Sequence, residues 1–219
     1  MLVDHNLYFV GMMKFFLQKN IAFCSLVLYY IIRPSYVRTV MTIRDVLYTF
    51  WKKNELFSCG VKPLFTYPLF LTNARFISIG NKFRTKRGCR IEVITSSETN
   101  HPIIQIGNNV SINWYCHIGA SNRIIIGDNV LIGSNVLITD HSHGAITSEA
   151  IRDIPSERAI YSKGSVVIEN NVWIGEGVAI MPGVRIGENS IVGANAVVTK
   201  SIPKNCVAAG NPAKVLKIL

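Results

Sequence analysis

Acidic residues are scarce in this chain of 219 residues. Asp and Glu together number 13, against 23 Lys and Arg, which gives a formal net charge of +10 at pH 7. Such an excess of positive charge favours partners that carry phosphate or carboxylate groups. Charge by itself leaves nucleic acid, anionic lipid and an anionic cofactor open as partner classes.

Cysteine pairing patterns and long apolar runs are also missing. The five cysteines are odd in number and lack any CxxC or zinc-type spacing, which predicts reduced thiols in the cytosol. The most apolar run, Ile21 to Ile32, is far shorter than the roughly 20 residues of a bilayer-spanning helix. Lys14 and Lys19 interrupt the apolar start of the chain, so no cleaved secretory signal is expected. The prediction is a cytoplasmic protein, with the inner face of the membrane as a further option.

A repeat of six residues occupies the second half of the chain. The aliphatic residues in this phase are Ile106, Ile112, Ile118, Ile126, Ile132, Ile138, Ile168, Ile174, Ile180, Ile186, Val192 and Val198. Neither a helix, with apolar spacings of three and four, nor a simple strand, with a spacing of two, produces this period. A short strand plus a turn does. The sequence therefore predicts a parallel β-helix in which each six-residue unit forms one side and three units close one coil.

Two interruptions of the period mark the places where a solenoid can carry function. The gap between Ile118 and Ile126 is two residues too long, and the gap between Ile138 and Ile168 leaves 30 − 6 = 24 residues outside the regular path. Solenoids tolerate such insertions as projecting loops, often on the binding face. This one contains Asp140, His141, Ser142 and His143.

The N-terminal third shows no hexad. Apolar residues at helical spacing predict a helical segment over residues 1–75, and the β-helix domain is expected over residues 76–219. Two interpretations of the helical segment stay open. It caps the end of the solenoid, or it lies on an anionic membrane surface, since Lys14, Lys19, Arg33 and Arg38 flank its aromatic and aliphatic residues.

Together, the hexads, the DHSHG segment at residues 140–144, the NVWIGEGV segment at 171–178 and the C-terminal stretch from residue 191 to 217 resemble a known family. The chain is similar to hexapeptide-repeat acetyltransferases of the galactoside and maltose acetyltransferase type, and most similar to the O-acetyltransferases of bacterial surface polysaccharides. The resemblance implies a left-handed coil, although right-handed crossovers are the general rule for parallel strands. It also implies a homotrimer with active sites between neighbouring subunits, and transfer of an acetyl group from acetyl-CoA to a sugar or glycan hydroxyl.

The same resemblance assigns roles to individual residues. His141 matches the general base, a role for which imidazole is suited near neutral pH. His143 contacts the acceptor or orders the loop. Asn113 matches a residue near the acceptor, with corner chemistry as the alternative, and Trp173 is expected to point outward and line the acyl site. Asp140 could orient the imidazole, but a turn-capping role is favoured, with Glu149 as another candidate orienter.

For the cofactor, the resemblance points to the C-terminal coils. The residues expected to bind acetyl-CoA are Gly175, Gly193, Ala194, Thr199, Lys200 and Lys214. Small residues let the pantetheine arm lie close to the coil, and a lysine suits a phosphate. No metal site and no nucleic-acid partner are predicted.

Another enzyme class uses the same solenoid, the zinc hydratases of the γ-carbonic anhydrase type, which hold zinc with three histidines. His117, His141 and His143 could be counted toward such a site. Their spacing argues against it, because that family pairs two histidines five residues apart. A non-catalytic solenoid is the third hypothesis, but it does not account for an insertion with two histidines.

Overall fold

The computed structural model describes residues 13–14, 17–26, 29, 34–94 and 100–219, and the chain divides into two units, Met1–Arg44 and Asp45–Leu219. In the first unit the backbone is helical at residues 17–26 and again from Pro34, where helix α1 (Pro34–Lys52) begins. In the parts of the chain that are described, no helix is both long and apolar enough to cross a bilayer. Of the aromatic and aliphatic stretch predicted to contact membranes, residues 13–14, 17–26 and 29 are described, and the rest lies outside the described residues.

The second unit is a solenoid of three parallel sheets. Sheet 1 contains β1 (Ser58–Cys59), β4 (Ile77–Ile79), β7 (Ile104–Ile106), β10 (Ile124–Ile126), β15 (Val166–Ile168) and β18 (Arg185–Ile186). Sheet 2 contains β2 (Leu64–Phe65), β5 (Arg84–Thr85), β8 (Ser111–Ile112), β11 (Leu131–Ile132), β16 (Trp173–Ile174), β19 (Ile191–Val192), β21 (Cys206–Ala209) and β22 (Lys214–Ile218). Sheet 3 contains β3 (Leu69–Thr72), β6 (Cys89–Val93), β9 (His117–Ala120), β12 (Leu137–Thr139), β17 (Ala179–Ile180) and β20 (Val197–Val198).

Strands β1 to β12 and β15 to β20 pass through sheets 1, 2 and 3 in turn, so each group of three makes one coil and the described residues make six coils. Equivalent residues stack in register, as in Ile118 on Ile138 and Ile138 on Ile180. All twelve aliphatic residues of the hexad phase are at most 4% exposed. The predicted parallel β-helix with inward aliphatic residues is therefore confirmed, and burial of these columns is the main source of its stability.

The corner between sheets 1 and 2 is regular and is called here the asparagine corner. Coils 1 and 2 have Lys62 and Lys82 at one place of this corner. From coil 3 on, the turns are residues 107–110, 127–130, 169–172, 187–190 and 203–205, and that place is occupied in each by an asparagine with φ between 54° and 57°. Those residues are Asn109, Asn129, Asn171, Asn189 and Asn205. Each Nδ2 donates to the Oδ1 of the next coil at 2.9 to 3.1 Å. Asparagine tolerates the left-handed region, and here its side chain also joins the coils.

The solenoid begins earlier than the hexads indicated. Strands β1 to β5 precede residue 86, so the boundary predicted at residues 75 and 76 falls between coils 1 and 2. The first two coils lack the aliphatic hexad because aromatic side chains fill them, with Phe65 and Phe83 in edge contact and both fully buried. Their period is therefore hidden from a search for aliphatic residues.

The last turns of α1 close the open end of coil 1. The Tyr48 hydroxyl donates to Leu69 O at 2.7 Å, and the Phe65 amide donates to Thr49 Oγ1 at 2.8 Å. These two side chains satisfy backbone groups that no strand pairs. At the other end, β22 runs antiparallel to β21, so Lys214 to Ile218 form a closing strand.

Residues 140–165, called here the insertion, connect β12 to β15. They form a small antiparallel sheet of β13 (Ser142–His143) and β14 (Ile160–Tyr161). A short 3₁₀ turn at Ala150–Arg152 lies between the two strands along the chain. The Ser162 hydroxyl donates to Asp140 O at 2.7 Å and so joins the end of the insertion to its beginning. The insertion occupies the corner between sheets 3 and 1, called here the histidine corner, with turns at residues 121–123, 140–165, 181–184 and 199–201.

Candidate active site

His141 lies at the point where the chain leaves the solenoid, two residues after β12. Its side chain is 9% exposed, and the Asp140 side chain beside it is fully buried. The Nδ1 atom of His141 is 3.2 Å from Asp140 Oδ1 and 3.3 Å from Thr139 Oγ1. The imidazole is thus held on one edge by two oxygen atoms.

These two contacts determine where the imidazole proton lies. A carboxylate can only accept, and the Thr139 hydroxyl already donates to His141 O at 3.1 Å. Both oxygens therefore accept from Nδ1–H, which leaves the lone pair on Nε2. This is the tautomer that a general base needs.

Asp140 is held by backbone amides of residues 121–123, which lie in the other long gap of the hexad pattern, between Ile118 and Ile126. Its Oδ1 accepts from the Ser121 amide at 2.7 Å, and its Oδ2 accepts from the Asn122 and Arg123 amides at 2.8 and 2.6 Å. Asp140 thus caps the turn at residues 121–123, as its sequence context favoured, and it also contacts His141. The sequence analysis treated these two roles as alternatives, whereas the fold combines them.

A second imidazole faces the same area from the neighbouring strand of sheet 3. His117 Nε2 is 2.7 Å from Glu92 Oε1, and their side chains are 29% and 19% exposed. Gly119 lies between the two histidines. Sequence analysis considered His117 only as a zinc ligand and did not identify Glu92, Gly119 or Thr139. Aligning Ile91, Ile118 and Ile138 as one column of the solenoid would have placed Glu92, Gly119 and Thr139 side by side, because each of these directly follows a residue of the column.

Other predicted site residues lie at a distance from His141 along the fold. His143 is exposed on β13, beside a cavity of about 540 Å³ lined by residues 142–148 and Arg158. Glu149 is exposed, and hydrogen bonds from its own backbone amide and from the Ser148 and Thr147 hydroxyls hold its pKa below the usual range. The hydrogen bonds of Glu149 lie within its own turn, and Asp140 occupies the orienting position beside His141 instead.

Asn113 and Trp173 lie elsewhere on the solenoid. Asn113 begins the turn between sheets 2 and 3, before the N-terminal end of β9. His141 lies at the other end of the sheet 3 strands, after the C-terminal end of β12. Trp173 is in sheet 2, 52% exposed between buried Val172 and Ile174, so its side chain points outward as expected. Within a single chain the fold does not bring either residue to His141.

The residues predicted to bind cofactor lie in the last two coils. Gly175, Gly193 and Ala194 are at the corner between sheets 2 and 3, and Thr199 and Lys200 are at the histidine corner after β20. Ala194, Thr199, Lys200 and Lys214 are exposed. At Gly175 a Cβ would come within 2.6 Å of Ala194 N, so only glycine lets these coils stack.

Metal ligation receives no support from the geometry. Among the described residues, no group of three or more His, Cys, Asp or Glu side chains is arranged to hold a metal ion. His117 is instead engaged by Glu92, and His143 is on the antiparallel sheet of the insertion.

Comparisons with known proteins agree with the fold. The family described as bacterial transferase hexapeptide (six repeats) matches residues 165–200, and the hexapeptide repeat of succinyl-transferase matches residues 123–144. The putative lipopolysaccharide biosynthesis O-acetyl transferase WbbJ of Escherichia coli (strain K12) is 35% identical over 183 residues, which cover 81% of this chain and 87% of WbbJ.

Two solved structures are also similar. AntD, an N-acyltransferase from Bacillus cereus in complex with dTDP-4-amino-4,6-dideoxyglucose and coenzyme A, has a TM-score of 0.64 and 24% identity over 78% of this chain and 88% of its own. A galactoside acetyltransferase in complex with coenzyme A has a TM-score of 0.51 and 30% identity over 76% of this chain and 66% of its own.

The three-sided coil, the matched repeats and the similarity to WbbJ define a class of enzyme, the hexapeptide-repeat acyltransferases. This chain belongs to that family, and its relative WbbJ is named as an O-acetyl transferase. The family membership and the acetyltransferase activity predicted from the DHSHG segment and the C-terminal stretch are therefore confirmed.

Proposed function

We propose that this protein transfers an acetyl group from acetyl-CoA to a hydroxyl of a sugar or glycan, in the biosynthesis of a surface polysaccharide, with His141 as general base. The observation that carries this proposal is the fixed imidazole. A buried carboxylate, itself held by three backbone amides, contacts Nδ1 and leaves Nε2 as the proton acceptor. The relative WbbJ, named for O-acetyl transfer in lipopolysaccharide biosynthesis, supports the acceptor class.

In the proposed reaction, Nε2 of His141 removes the proton from the acceptor hydroxyl as its oxygen attacks the thioester carbonyl carbon. The tetrahedral intermediate collapses, the carbon–sulfur bond breaks, and the imidazolium returns the proton to the CoA sulfur. Asp140 and Thr139 keep Nδ1–H bonded throughout and stabilise the imidazolium. No acyl-enzyme forms, so positioning of two substrates is the main task of the protein.

The residues of coils 5 and 6 fit a coenzyme A ligand. Glycine and alanine at positions 193 and 194 leave the corner without long side chains, and a pantetheine arm can lie there against the backbone. Lys200 and Lys214 are exposed cations at the same end of the solenoid, where they would hold the phosphates. The galactoside acetyltransferase that was solved with coenzyme A supports this assignment.

We further propose a left-handed coil and a homotrimer in which each active site is shared by neighbouring subunits. Asn113 and His141 lie at opposite ends of the sheet 3 strands, so one chain cannot place both residues on one acceptor. A second copy of the chain can place its Asn113 beside this His141. Trp173 and Leu131, which are neighbours in sheet 2 and 52% and 44% exposed, offer apolar surface for such contacts. The sedimentation-equilibrium mass tests the trimer, and a mass of 24.4 kDa, that of one chain, would contradict it.

For location we propose the cytoplasm, with contact at the inner face of the membrane. Helix α1 exposes Tyr36, Val40 and Phe50, and Arg38 and Arg44 accompany them, a combination suited to an anionic interface. In a flotation experiment at low salt, the protein should rise with anionic vesicles and stay at the bottom with neutral ones. Protein that never floats would contradict the membrane contact.

Thiol release from acetyl-CoA in the presence of methyl hexopyranosides and oligosaccharides tests the activity. His141→Ala and His141→Asn should lower kcat by a factor of about 10² to 10⁴, because neither side chain can accept the proton. His143→Ala should mainly raise the KM for the acceptor. His101→Ala, a histidine outside the site, is the control and should leave kcat unchanged. A fall of less than tenfold at position 141 would contradict the assignment of the base.

A further inference from the structure

Gly119 differs from the glycines at the regular corners in what surrounds it. At Gly133 and Gly175, an added Cβ would come within 2.6 Å of a backbone nitrogen of the next coil. At Gly119 the nearest atoms are side-chain atoms only, His117 Nε2 and His141 Cε1, each at 3.2 Å. The backbone at Gly119, which is itself buried, is therefore bounded by two imidazoles and not by a neighbouring coil, and this place is called here the notch.

The notch has a second polar wall in addition to His141. Glu92 and Gly119 are register partners on β6 and β9, and Gly119 pairs in turn with Thr139 on β12. Glu92 Oε1 is 2.7 Å from His117 Nε2. The carboxylate therefore stands on one side of the notch, and the base stands on the other.

His117 is held in place before any ligand arrives. The Nη2 atom of Arg90 is 3.0 Å from Nδ1 and 3.2 Å from Nε2 of His117, and a nitrogen so close to both lies over the face of the ring. Arg90 Nε also lies 3.5 Å from Glu92 Oε1. A cation over the ring and a carboxylate at its edge fix the imidazole, and fixed polar groups bind a ligand with a smaller loss of entropy.

The core of the solenoid does not require this cluster. Glu92 and His117 flank the inward Ile91 and Ile118, point outward and are partly exposed. In the row of His117, the next outward positions along sheet 3 carry the apolar residues Leu137 and Ala179. A carboxylate, two imidazoles and a glycine around one point are groups suited to hydroxyl recognition.

We infer that the Glu92–His117 pair binds the hydroxyl next to the one that His141 deprotonates, so that the enzyme selects acceptors with a vicinal diol. This inference rests on the proposed function. The neighbouring hydroxyl donates to Glu92, which keeps its contact with His117, while the reacting hydroxyl lies within reach of His141. The proton and acetyl transfers are unchanged, and the pair contributes binding and orientation only.

The test uses the full chain with acetyl-CoA and methyl hexopyranosides of gluco, galacto and manno configuration, each compared with its monodeoxy derivatives. His117→Ala and Glu92→Gln should raise the KM for the intact glycoside at least about tenfold, the range expected for one hydrogen bond to a charged group. The KM for acetyl-CoA should not change. Wild type should discriminate by a similar factor against the derivative that lacks the neighbouring hydroxyl, and both variants should lose that discrimination.

Glu169→Gln is the matched control, since Glu169 is also a carboxylate paired with an arginine, Arg185, but lies in the turn after β15. It should keep wild-type kinetics. Unchanged acceptor KM in His117→Ala and Glu92→Gln would overturn the inference, and so would equal use of every deoxy derivative. Binding of acetyl-CoA by calorimetry without acetylation of any diol would also overturn it. Absence of acetyl-CoA binding would instead refute the proposed function.

Discussion

The asparagine corner and the histidine corner of this solenoid solve the same backbone problem in different ways. At the asparagine corner, each turn from coil 3 on repeats the previous one, and the side chains of five stacked asparagines bond to one another along the column. At the histidine corner the turns differ in length, and Asp140 of one coil supplies the acceptors for three amides of the coil before it. The regular corner supports the coils, whereas at the irregular corner Asp140 both caps a turn and contacts His141, which it can orient as a base.

The largest expected effect comes from removing Asp140. Asp140→Ala leaves three backbone amides, those of residues 121–123, without their acceptor and releases His141 Nδ1. We expect the free energy of unfolding to fall by about 3 kcal/mol and kcat to fall by about 10². Chemical unfolding and steady-state kinetics measure the two effects.

Asp128→Ala is the control at the asparagine corner, where Asp128 Oδ1 accepts from the Asn108 amide at 2.6 Å. It should cost about 1 kcal/mol and leave kcat intact. If Asp140→Ala lost stability but kept kcat, Asp140 would only cap the turn, and the contrast between the two corners would disappear.

Alanine substitutions at two glycines, Gly119 and Gly107, test the same contrast between the corners. Gly119→Ala places a methyl group between two imidazoles and should lower kcat/KM by a factor of about 10 to 10², since small displacements of catalytic groups are costly. Its unfolding should stay close to wild type. Gly107→Ala, whose Cβ would lie 2.7 Å from the Gly127 carbonyl carbon, should instead cost about 1 to 3 kcal/mol and spare the kinetics. The reverse pattern would show that Gly119 serves coil stacking.

Lys200 extends the comparison to the last turn of the histidine corner. Lys200→Ala should raise the KM for acetyl-CoA by about tenfold, because one charge-assisted contact to a phosphate is lost. The KM for dephospho-acetyl-CoA, which lacks that phosphate, should not change. An equal loss with both donors would remove Lys200 from the cofactor site.

The smallest effect is expected within the asparagine ladder. Asn171→Ala removes two side-chain hydrogen bonds and places alanine at φ 57°, for a cost of about 1 to 2 kcal/mol. Asn171→Gly keeps the ladder broken but relieves the backbone, so its thermal midpoint should lie between those of Asn171→Ala and wild type. Both variants should keep wild-type kcat, and a loss of activity would mean that the asparagine corner does more than support the coils.

Much of the fold was predictable because the hexad is a local signal. Ile118 and Ile138 are inward whatever the length of the turns between them, so the period alone predicted their burial and the outward direction of Trp173. The aromatic coils before residue 86 escaped prediction because Phe65 and Phe83 fill the same space without the aliphatic pattern. The domain boundary was placed too late for that reason.

The sequence by itself determined the three-sided coil, its inward columns and the position of His141 at an interruption of the repeat. Only the tertiary structure decided that Asp140 caps the turn at residues 121–123 and that His117, Gly119 and His141 share one notch. The physical reason is the register between coils. Side chains 17 to 27 residues apart meet only after the intervening turns have set how the coils stack, and turn length follows no period that the chain displays.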